Sequence, residues 1–237
     1  MAALDPSARS ALLELGEPRR LEKDEALIRE GDRQSDRVYL LRSTRPGNCA
    51  CAKVTANVGN GVEALLGIRV TGDLVGEMGV IRRAARSATV TMCSPALAFG
   101  IEGTAFLALL EKYPRAAATV AGMIADRLQW ANQRRLDFAG FDVPVRLGRV
   151  IDALADRHGV DVTDGVDLGV SLSQQELGRL VGAREAAVGK AIRMFRERGV
   201  LRTRYRRMII ADREALRALI RDLASSDCGV ESNPDHR

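Results

Sequence analysis

The 237-residue sequence predicts an α+β fold with an N-terminal antiparallel β-roll, a long helix and a C-terminal winged helix-turn-helix. Over residues 21–100, short β-prone runs alternate with glycine-containing turns. Over residues 104–140, apolar residues recur every three or four positions, as on one helix face. Between residues 171 and 210, small and apolar residues are spaced as in two short helices that cross through a tight turn. The expected boundaries are 1–103 for the roll with its N-terminal helix, 104–140 for the long helix, 141–224 for the winged helix-turn-helix domain and 225–237 for a disordered tail.

The first hundred residues change character near residue 20. Residues 1–20 are predicted to form a short amphipathic helix, on the positions of Leu4, Ala11, Leu12 and Leu15. After it, β-prone residues such as those at 38–41 are separated by turn sequences. This alternation predicts a compact antiparallel barrel or roll. The turn sequences are Glu30-Gly31-Asp32, Gly59-Asn60-Gly61 and Gly72-Asp73.

Within residues 104–140, the long part of the helix is expected to start at Pro114. Its apolar stripe either packs on the roll or forms a two-fold coiled contact with a second copy, and we favour the second arrangement, a homodimer held by a dimerisation helix. Asp142 before Pro144 predicts an N-cap and an early-turn proline that open a new helix to about Arg157, with a hinge at residues 140–142. The stripe consists of Ala117, Ala121, Ile124, Leu128, Ala131 and Phe138, with Arg135 interrupting it.

The helix-turn-helix is predicted from its start and stop signals. Ser173 followed by Glu176 is a capping box, which starts a helix, and Gly182 suits the left-handed turn that ends it. Gly178 allows the second helix to approach closely because it has no side chain. The second helix is expected at roughly Arg184 to Glu197 and is the element that enters a DNA major groove. The inward-facing residues are Leu177, Val181, Ala183, Val188 and Ile192.

The charge distribution supports a nucleic-acid partner. Residues 171–210 contain ten Arg or Lys and three Glu, a net charge of +7, whereas the whole chain carries +5. A basic island on a near-neutral chain is typical of phosphate neutralisation, although a solvated basic face would look the same. After Gly199, two short strands at 200–204 and 207–210 are predicted around Tyr205-Arg206, a β-ribbon wing that can contact the DNA backbone.

Several classes of protein are disfavoured. Four cysteines (Cys49, Cys51, Cys93, Cys228) do not form a disulfide framework in a chain of this size. The Cys49-x-Cys51 pair would need two further ligands to bind a metal, and the two histidines, His158 and His236, are distant, so no metal is expected. No Ser-His-Asp, Cys-His or Walker arrangement points to an enzyme. Without a long apolar run or a signal sequence, we expect a cytoplasmic protein with no membrane partner.

A second constellation lies in the roll. The sequence Gly76-Glu77-Met78-Gly79 predicts a glycine followed by a short helical turn, which presents backbone N–H groups to an anion. Nine residues after Glu77, Arg86 can supply a bidentate cation for a phosphate, and Ser87 adds a hydroxyl donor. Glu77 is an acceptor suited to a sugar hydroxyl. An ion pair between Arg86 and Glu77 inside the roll would give the same pattern.

These motifs carry a family resemblance. Glu30-Gly31-Asp32, Gly72-Asp73, Gly76-Glu77 and Arg86-Ser87-Ala88-Thr89-Val90 closely resemble the cyclic-nucleotide-binding domain. With the long helix and the winged helix-turn-helix, roughly residues 10–220 resemble the CRP/FNR family of bacterial transcription regulators. The resemblance implies a cyclic nucleotide effector, with Gly76 and Glu77 at the ribose 2′-hydroxyl, Arg86 and Ser87 at the cyclic phosphate and Asn132 at the base. Met78 is a further predicted ligand-binding residue.

The base-reading positions are only partly kept. In cyclic-AMP-responsive members two successive polar residues of the long helix reach the adenine, and they align with Ala131 and Asn132. Asn132 can read an adenine edge, whereas the side chain of Ala131 cannot form a hydrogen bond. The resemblance therefore implies cyclic AMP (cAMP) as effector, with another cyclic nucleotide as the alternative.

The recognition helix also departs from the family pattern, Gly-Ala-Ser-Arg-Glu-Thr-Val-x-Arg. The positions of the usual base-reading Arg and Glu are occupied by Glu185 and Ala186, so Arg184 and Glu185 would replace them from one position earlier. Lys190 is expected to contact a guanine or a phosphate. The resemblance implies a homodimer on a two-fold symmetric operator, with RNA polymerase as a further partner. The DNA-contacting residues are predicted to be Gln174, Arg184, Glu185, Lys190, Arg204, Arg206 and Arg207.

Three other functions remain open. A regulator of the same fold could work without a small molecule and keep the cassette for its structure. An enzyme is disfavoured by the missing catalytic arrangements. A dimer that buffers a ligand without binding DNA is disfavoured by the basic island at residues 171–210.

Overall fold

The computed structural model describes residues 6–45, 49–59, 61, 63–204 and 207–227. The chain divides into two compact units, Met1–Gln129 and Trp130–Arg237. The boundary falls inside the long helix, earlier than the helix break at residues 140–142, because the last turns of that helix belong to the second unit. Among the described helices, none combines the length and the apolar character that a membrane span requires.

The first unit is an antiparallel roll, as the sequence predicts, with three helices and the first part of the long helix. One sheet has the strand order β1-β8-β3-β6 and the other β2-β7-β4-β5. Helix α1 precedes the strands, α2 follows β6, and α3 follows β8. The elements are α1 (Pro6–Leu15), β1 (Glu17–Leu21), β2 (Ala26–Ile28), β3 (Arg37–Ser43), β4 (Cys51–Asn57), β5 (Glu63–Val70), β6 (Leu74–Val75), α2 (Glu77–Arg82), β7 (Thr89–Met92), β8 (Ala96–Glu102) and α3 (Gly103–Lys112).

The predicted N-terminal helix is too long at its end. Residues 17–20 belong to β1 and pair with β8, with Pro18 opposite Phe99. Pro18 cannot continue a helix, and β1 is an edge strand, where a missing N–H is tolerated. At Gly16 a Cβ would lie 2.9 Å from the Cβ of Phe99, so only glycine allows the chain to turn this closely onto β8. Leu12 is buried as expected, and Leu4 lies outside the described residues.

Two apolar clusters stabilise this unit. One lies between the two sheets and includes Leu21, Leu41 and Met92, which are fully buried. The other includes Leu12, Phe106 and Val120, so it joins α1, α3 and the start of the long helix to the outer side of β3 and β8. Its burial removes mainly aliphatic surface from water, in agreement with the 4% aromatic content of the chain.

The helix predicted at 104–140 is two helices, α3 and the longer α4 (Pro114–Gly140), and α4 starts at the predicted proline. Its first turns pack on the roll through Ala116 and Val120. Of the predicted stripe, Ile124 also packs there, whereas Leu128 remains 61% exposed. Phe138 lies in the second unit with its ring against Gly182, where a Cβ would be 2.9 Å from the ring. The start of the stripe therefore packs on the roll, its end packs in the second unit, and its middle section is exposed.

The second unit contains the predicted helix-turn-helix and wing. Helix α5 begins after Asp142, with proline in its first turn, and extends one residue beyond the predicted end. Its sheet has the order β11-β12-β10-β9, so the wing strands are extended by a hairpin that the sequence did not reveal. The elements are α5 (Val143–His158), β9 (Val160–Val162), β10 (Gly165–Asp167), α6 (Gln174–Val181), α7 (Glu185–Glu197), β11 (Leu201–Arg204), β12 (Arg207–Ile210) and α8 (Arg213–Asp227).

The C-terminal tail begins later than predicted. Helix α8 extends to Asp227, so the prediction of disorder is wrong for residues 225–227. Ser225 and Ser226 each donate a hydroxyl hydrogen bond of 3.0 Å to the carbonyl four residues earlier, and this satisfies polar side chains within the helix. Residues 228–237 lie outside the described residues.

Candidate functional site

The predicted anion cassette is organised around the buried side chain of Arg86. Its Nη1 donates to the carbonyl of Gly76 at 2.6 Å, and its Nη2 donates to the carbonyl of Arg37 at 2.6 Å and to Ser35 Oγ at 3.3 Å. Gly76 has a φ of 86° and precedes α2. A Cβ on Gly76 or on Gly79 would lie 2.9 Å from Arg86 Nη1, so both glycines are needed to make room for the guanidinium.

The electrostatic environment of Arg86 suits an anionic ligand. Only 4% of the residue is exposed, yet it forms no ion pair with a described carboxylate, and its protein partners are neutral oxygens. Its buried Nε has no hydrogen-bond partner among the described residues. A buried cation without a counter-ion is costly, and a phosphate would supply both the missing charge and the missing acceptor.

The backbone around Arg86 is fixed by the first of the family motifs. The N–H of Gly31 donates to the carbonyl of Arg86 at 2.8 Å, and the N–H of Arg86 donates to the carbonyl of Asp32 at 2.9 Å. The carboxylate of Asp32 accepts the N–H of Gln34 at 2.8 Å and so closes the turn. The Glu30-Gly31-Asp32 sequence therefore positions the segment that carries Arg86 and Ser87.

Glu77 is paired with a residue that sequence reasoning missed. Its carboxylate Oε1 lies 2.6 Å from Nη1 of Arg127 on α4, and Arg127 Nη2 donates to the carbonyl of Leu74 at 2.7 Å. Glu77 therefore forms its ion pair with Arg127 and not with Arg86, the partner that the sequence left open. The partners are 50 residues apart and lie on different elements, so no local pattern could have revealed Arg127.

The other predicted ligand residues are placed as follows. Ser87 directly follows Arg86 and is exposed, and Met78, on α2, is 40% exposed. Asn132 is exposed on α4 in the second compact unit. The contacts of these three residues with a nucleotide stay predictions.

The helix-turn-helix has the predicted geometry. Ser173 Oγ accepts the N–H of Glu176 at 3.1 Å, and the Glu176 carboxylate accepts the N–H of Ser173 at 2.8 Å, which completes the capping box. Gly182 ends α6 in the left-handed conformation, with a φ of 62°. At Gly178 a Cβ would lie 2.5 Å from the carbonyl of Ala183, so the close approach is to the turn itself rather than to the second helix.

The exposed face of α7 differs in part from the predicted contact set. Arg184 is the N-cap residue and has an extended backbone, so it precedes the recognition helix, and Glu185 is the first helical residue. Lys190 is exposed as expected. Arg193 and Arg196, which were not singled out from the sequence, are also exposed and line the groove between α7 and the wing. Lys190, Arg193 and Arg196 follow one another at intervals of three residues, so they lie on adjacent turns of one helix face.

That groove has a volume of about 430 Å³. The side chain of Gln174, the first residue of α6, reaches across the groove to α7. A Cβ on Gly189 would lie 2.9 Å from Gln174 Oε1. Gly189 is thus the point where the first helix touches the recognition helix. The groove is lined by Arg193, Arg196, Arg204 and Arg207 together with Ser173, Gln174 and Thr203.

Two of the three predicted wing arginines have carboxylate partners. Arg204 Nη2 lies 2.7 Å from Asp164 Oδ2, and Arg207 Nε lies 2.6 Å from Asp167 Oδ2. Both acids come from the β9–β10 hairpin, which the sequence did not predict. Arg206 lies outside the described residues.

Among the described residues, no group of three or more His, Cys, Asp or Glu side chains could hold a metal ion. Cys49 precedes β4, which begins at Cys51, and Cys51 is buried. Cys228 and His236 lie outside the described residues.

A profile described as "Cyclic nucleotide-binding domain" matches residues 18–113, and a profile described as "Crp-like helix-turn-helix domain" matches residues 145–219. The chain is 27% identical over 213 residues to a CRP-like cAMP-activated global transcriptional regulator of Mycobacterium tuberculosis, covering 90% of this chain and 92% of that protein. It is 23% identical to the cAMP-activated global transcriptional regulator Vfr of Pseudomonas aeruginosa, covering 81% of this chain and 88% of Vfr.

Solved structures share the fold. The c-di-GMP responsive global regulator CLP of Xanthomonas campestris superposes with a TM-score of 0.71 at 21% identity, covering 88% of this chain and 100% of that one. FixK2 of Bradyrhizobium japonicum superposes with a TM-score of 0.72 at 14% identity, covering 86% of this chain and 96% of that one.

Proposed function

Because this chain belongs to the CRP/FNR family of transcription regulators, we propose that it is a homodimer whose DNA affinity changes when a cyclic nucleotide binds in the roll. The observation that carries this proposal is the buried Arg86, whose Nε has no hydrogen-bond partner among the described residues. cAMP is the proposed effector, in line with the curated relatives that are named for it. The family consists of regulators rather than enzymes, and we assign the chain no catalytic step.

The proposed ligand contacts follow from the chemistry of the cassette. The cyclic phosphate would accept hydrogen bonds from Arg86 and from the hydroxyl of Ser87, while the ribose 2′-hydroxyl would donate to Glu77. Arg127 already holds the Glu77 carboxylate, so the sugar would bind an acceptor that is fixed in place. We propose that Asn132 reads the base. Because Ala131 offers no side-chain hydrogen bond, selectivity for adenine would depend on one side chain.

We propose that α4 forms the contact with the second copy. Leu128 and Leu136 are 61% and 65% exposed, and a helix that exposes large apolar residues gains stability by burying them against a partner. Two copies would present two recognition helices and therefore demand a two-fold symmetric operator. The nucleotide would act through its different affinity for two arrangements of these helices. The protein would act in the cytoplasm, with RNA polymerase as a further partner.

A regulator of the same fold that needs no small molecule is the second candidate. Arg86 is already bonded to three neutral protein oxygens, and Glu77 is already paired with Arg127. These internal bonds would let the cassette serve a purely structural role. The two candidates share the prediction of sequence-specific DNA binding and differ in their response to a nucleotide.

Selection of bound duplexes from a randomised DNA pool tests the DNA-binding part. We expect enrichment of two-fold symmetric sites whose half-sites are about 10 base pairs apart, since two recognition helices of a dimer enter successive major grooves. The variant Lys190→Ala is expected to relax the preference at one position of each half-site. Recovery of no consensus, or of a single asymmetric half-site, contradicts the proposal.

A further inference from the structure

An acidic turn contacts the wing on the side of the groove. Asp164 lies in the turn between β9 and β10 and is partly buried. Its Oδ2 is 2.7 Å from Nη2 of Arg204, and its Oδ1 is 3.8 Å from Nη1 of Arg202. Arg202 and Arg204 are two residues apart on β11 and therefore lie on the same face of the strand. One carboxylate thus holds two wing arginines.

The neighbouring ion pair, between Asp167 and Arg207, has a buried carboxylate. Asp167 is 6% exposed and accepts both Arg207 Nε, at 2.6 Å, and the N–H of Gly169, at 2.8 Å. A buried carboxylate with two donors fixes the chain locally, and its loss would leave polar groups without partners. The Asp164 pair, by contrast, is open to water, with 65% of the Arg204 side chain exposed. Ion pairs of this exposed kind are weak and separate readily.

Arg204 is also a groove residue. It lines the same surface as Arg193 and Gln174, where the wing faces the recognition helix. A DNA phosphate that binds the same N–H group of Arg204 competes with the Asp164 carboxylate, because both are anionic hydrogen-bond acceptors. The same acid also lowers the positive potential of the groove.

We propose that Asp164 is an affinity-determining residue that competes with DNA phosphate for Arg204 and Arg202. This inference rests on the proposed binding of DNA through the helix-turn-helix and wing. In it, Asp164 holds the wing arginines in the free protein and is displaced when the duplex binds. Binding is therefore weaker than the arginine content of the wing alone would give.

The test compares Asp164→Asn with Asp161→Asn. Asparagine keeps the turn-forming character of position 164, and Asp161 is an exposed acid of the same hairpin with no recorded ion pair to a described arginine. Both substitutions remove one negative charge. Fluorescence anisotropy measures the binding of each protein to a labelled random-sequence duplex over a series of salt concentrations.

We expect Asp164→Asn to bind about three- to tenfold more tightly than the unmodified protein at low salt, because the duplex no longer has to displace a carboxylate from Arg204. This gain should shrink as the salt concentration rises, because the ion pair that the duplex displaces is exposed and salt screens it. Asp161→Asn should change the affinity less than about twofold, since its charge acts only at long range. In the Arg204→Gln background, adding Asp164→Asn should give little of this gain.

Equal effects of the two asparagine variants would overturn the inference, as would weaker binding by Asp164→Asn or an undiminished gain in the Arg204→Gln background. In each of these cases the unmodified protein still binds DNA, so the proposed function stands. If the unmodified protein shows no salt-dependent binding to the duplex, the proposed function fails and the inference fails with it.

Discussion

Replacing Arg86 with alanine is expected to weaken cAMP binding by at least about 100-fold, because charge-assisted hydrogen bonds to the phosphate are lost from a buried site. Arg86 is 4% exposed, and its Nε has no other hydrogen-bond partner among the described residues, so the variant would remove a buried donor that the phosphate would use. Calorimetric titration of the purified protein with cAMP and with cyclic GMP measures the loss and identifies the preferred base.

The control is Arg82→Ala, which removes an exposed arginine from the last turn of α2, the short helix that carries Glu77. It should bind cAMP within about twofold of the unmodified protein, since surface charges act weakly through water. Thermal unfolding of both variants checks that the roll is intact, because Arg86 also bonds to Gly76 and Arg37. If Arg86→Ala folds and binds cAMP as tightly as Arg82→Ala, the assignment of the cassette is wrong.

The second large effect is expected at Gly178. Alanine there would place a Cβ 2.5 Å from the carbonyl oxygen of Ala183, which is backbone and belongs to the turn between the two helices. The turn would have to move, and we expect the free energy of unfolding of the second unit to fall by about 2 kcal/mol or more, as for overpacked cores. Denaturant unfolding measures this change, and the DNA affinity should fall with it.

Gly189→Ala is the matched control, because Gly189 is also an interior helical glycine of the same motif. A Cβ there meets only Gln174 Oε1, at 2.9 Å, the far end of a flexible side chain that can move away. The gain in helix propensity, about 1 kcal/mol, should then dominate and leave the protein as stable as before or more stable. Equal destabilisation by the two alanines would contradict the account of the turn.

The sequence predicts those parts of the fold whose causes are local. The capping box at Ser173 and Glu176 involves groups three residues apart, and Gly182 and Pro114 act through their own backbone. The elements that it did not reveal depend on distant partners. Residues 17–20 form a strand because β8 offers an edge to pair with, and the β9–β10 hairpin forms next to β12, more than forty residues later in the chain.

The candidate site shows the same division. Arg86, Glu77 and the glycines are near one another in the sequence, so their spacing predicted an anion cassette. Arg127, which holds the Glu77 carboxylate, lies on α4 and reaches the site only because this helix packs on the roll. Asp164 likewise meets Arg204 across 40 residues. Charge counts could identify a basic island, but they could not show which of its arginines already have a carboxylate partner.

The proposed function requires that a cyclic nucleotide changes the DNA affinity of this protein. Fluorescence anisotropy on a duplex recovered by selection, repeated over a series of cAMP concentrations, measures this change. We predict a saturable change in DNA affinity of at least about fivefold, typical of coupling between two sites, and no change in Arg86→Ala. DNA binding that is the same at every concentration of cAMP and of cyclic GMP would contradict the claim and favour a regulator that works without a nucleotide.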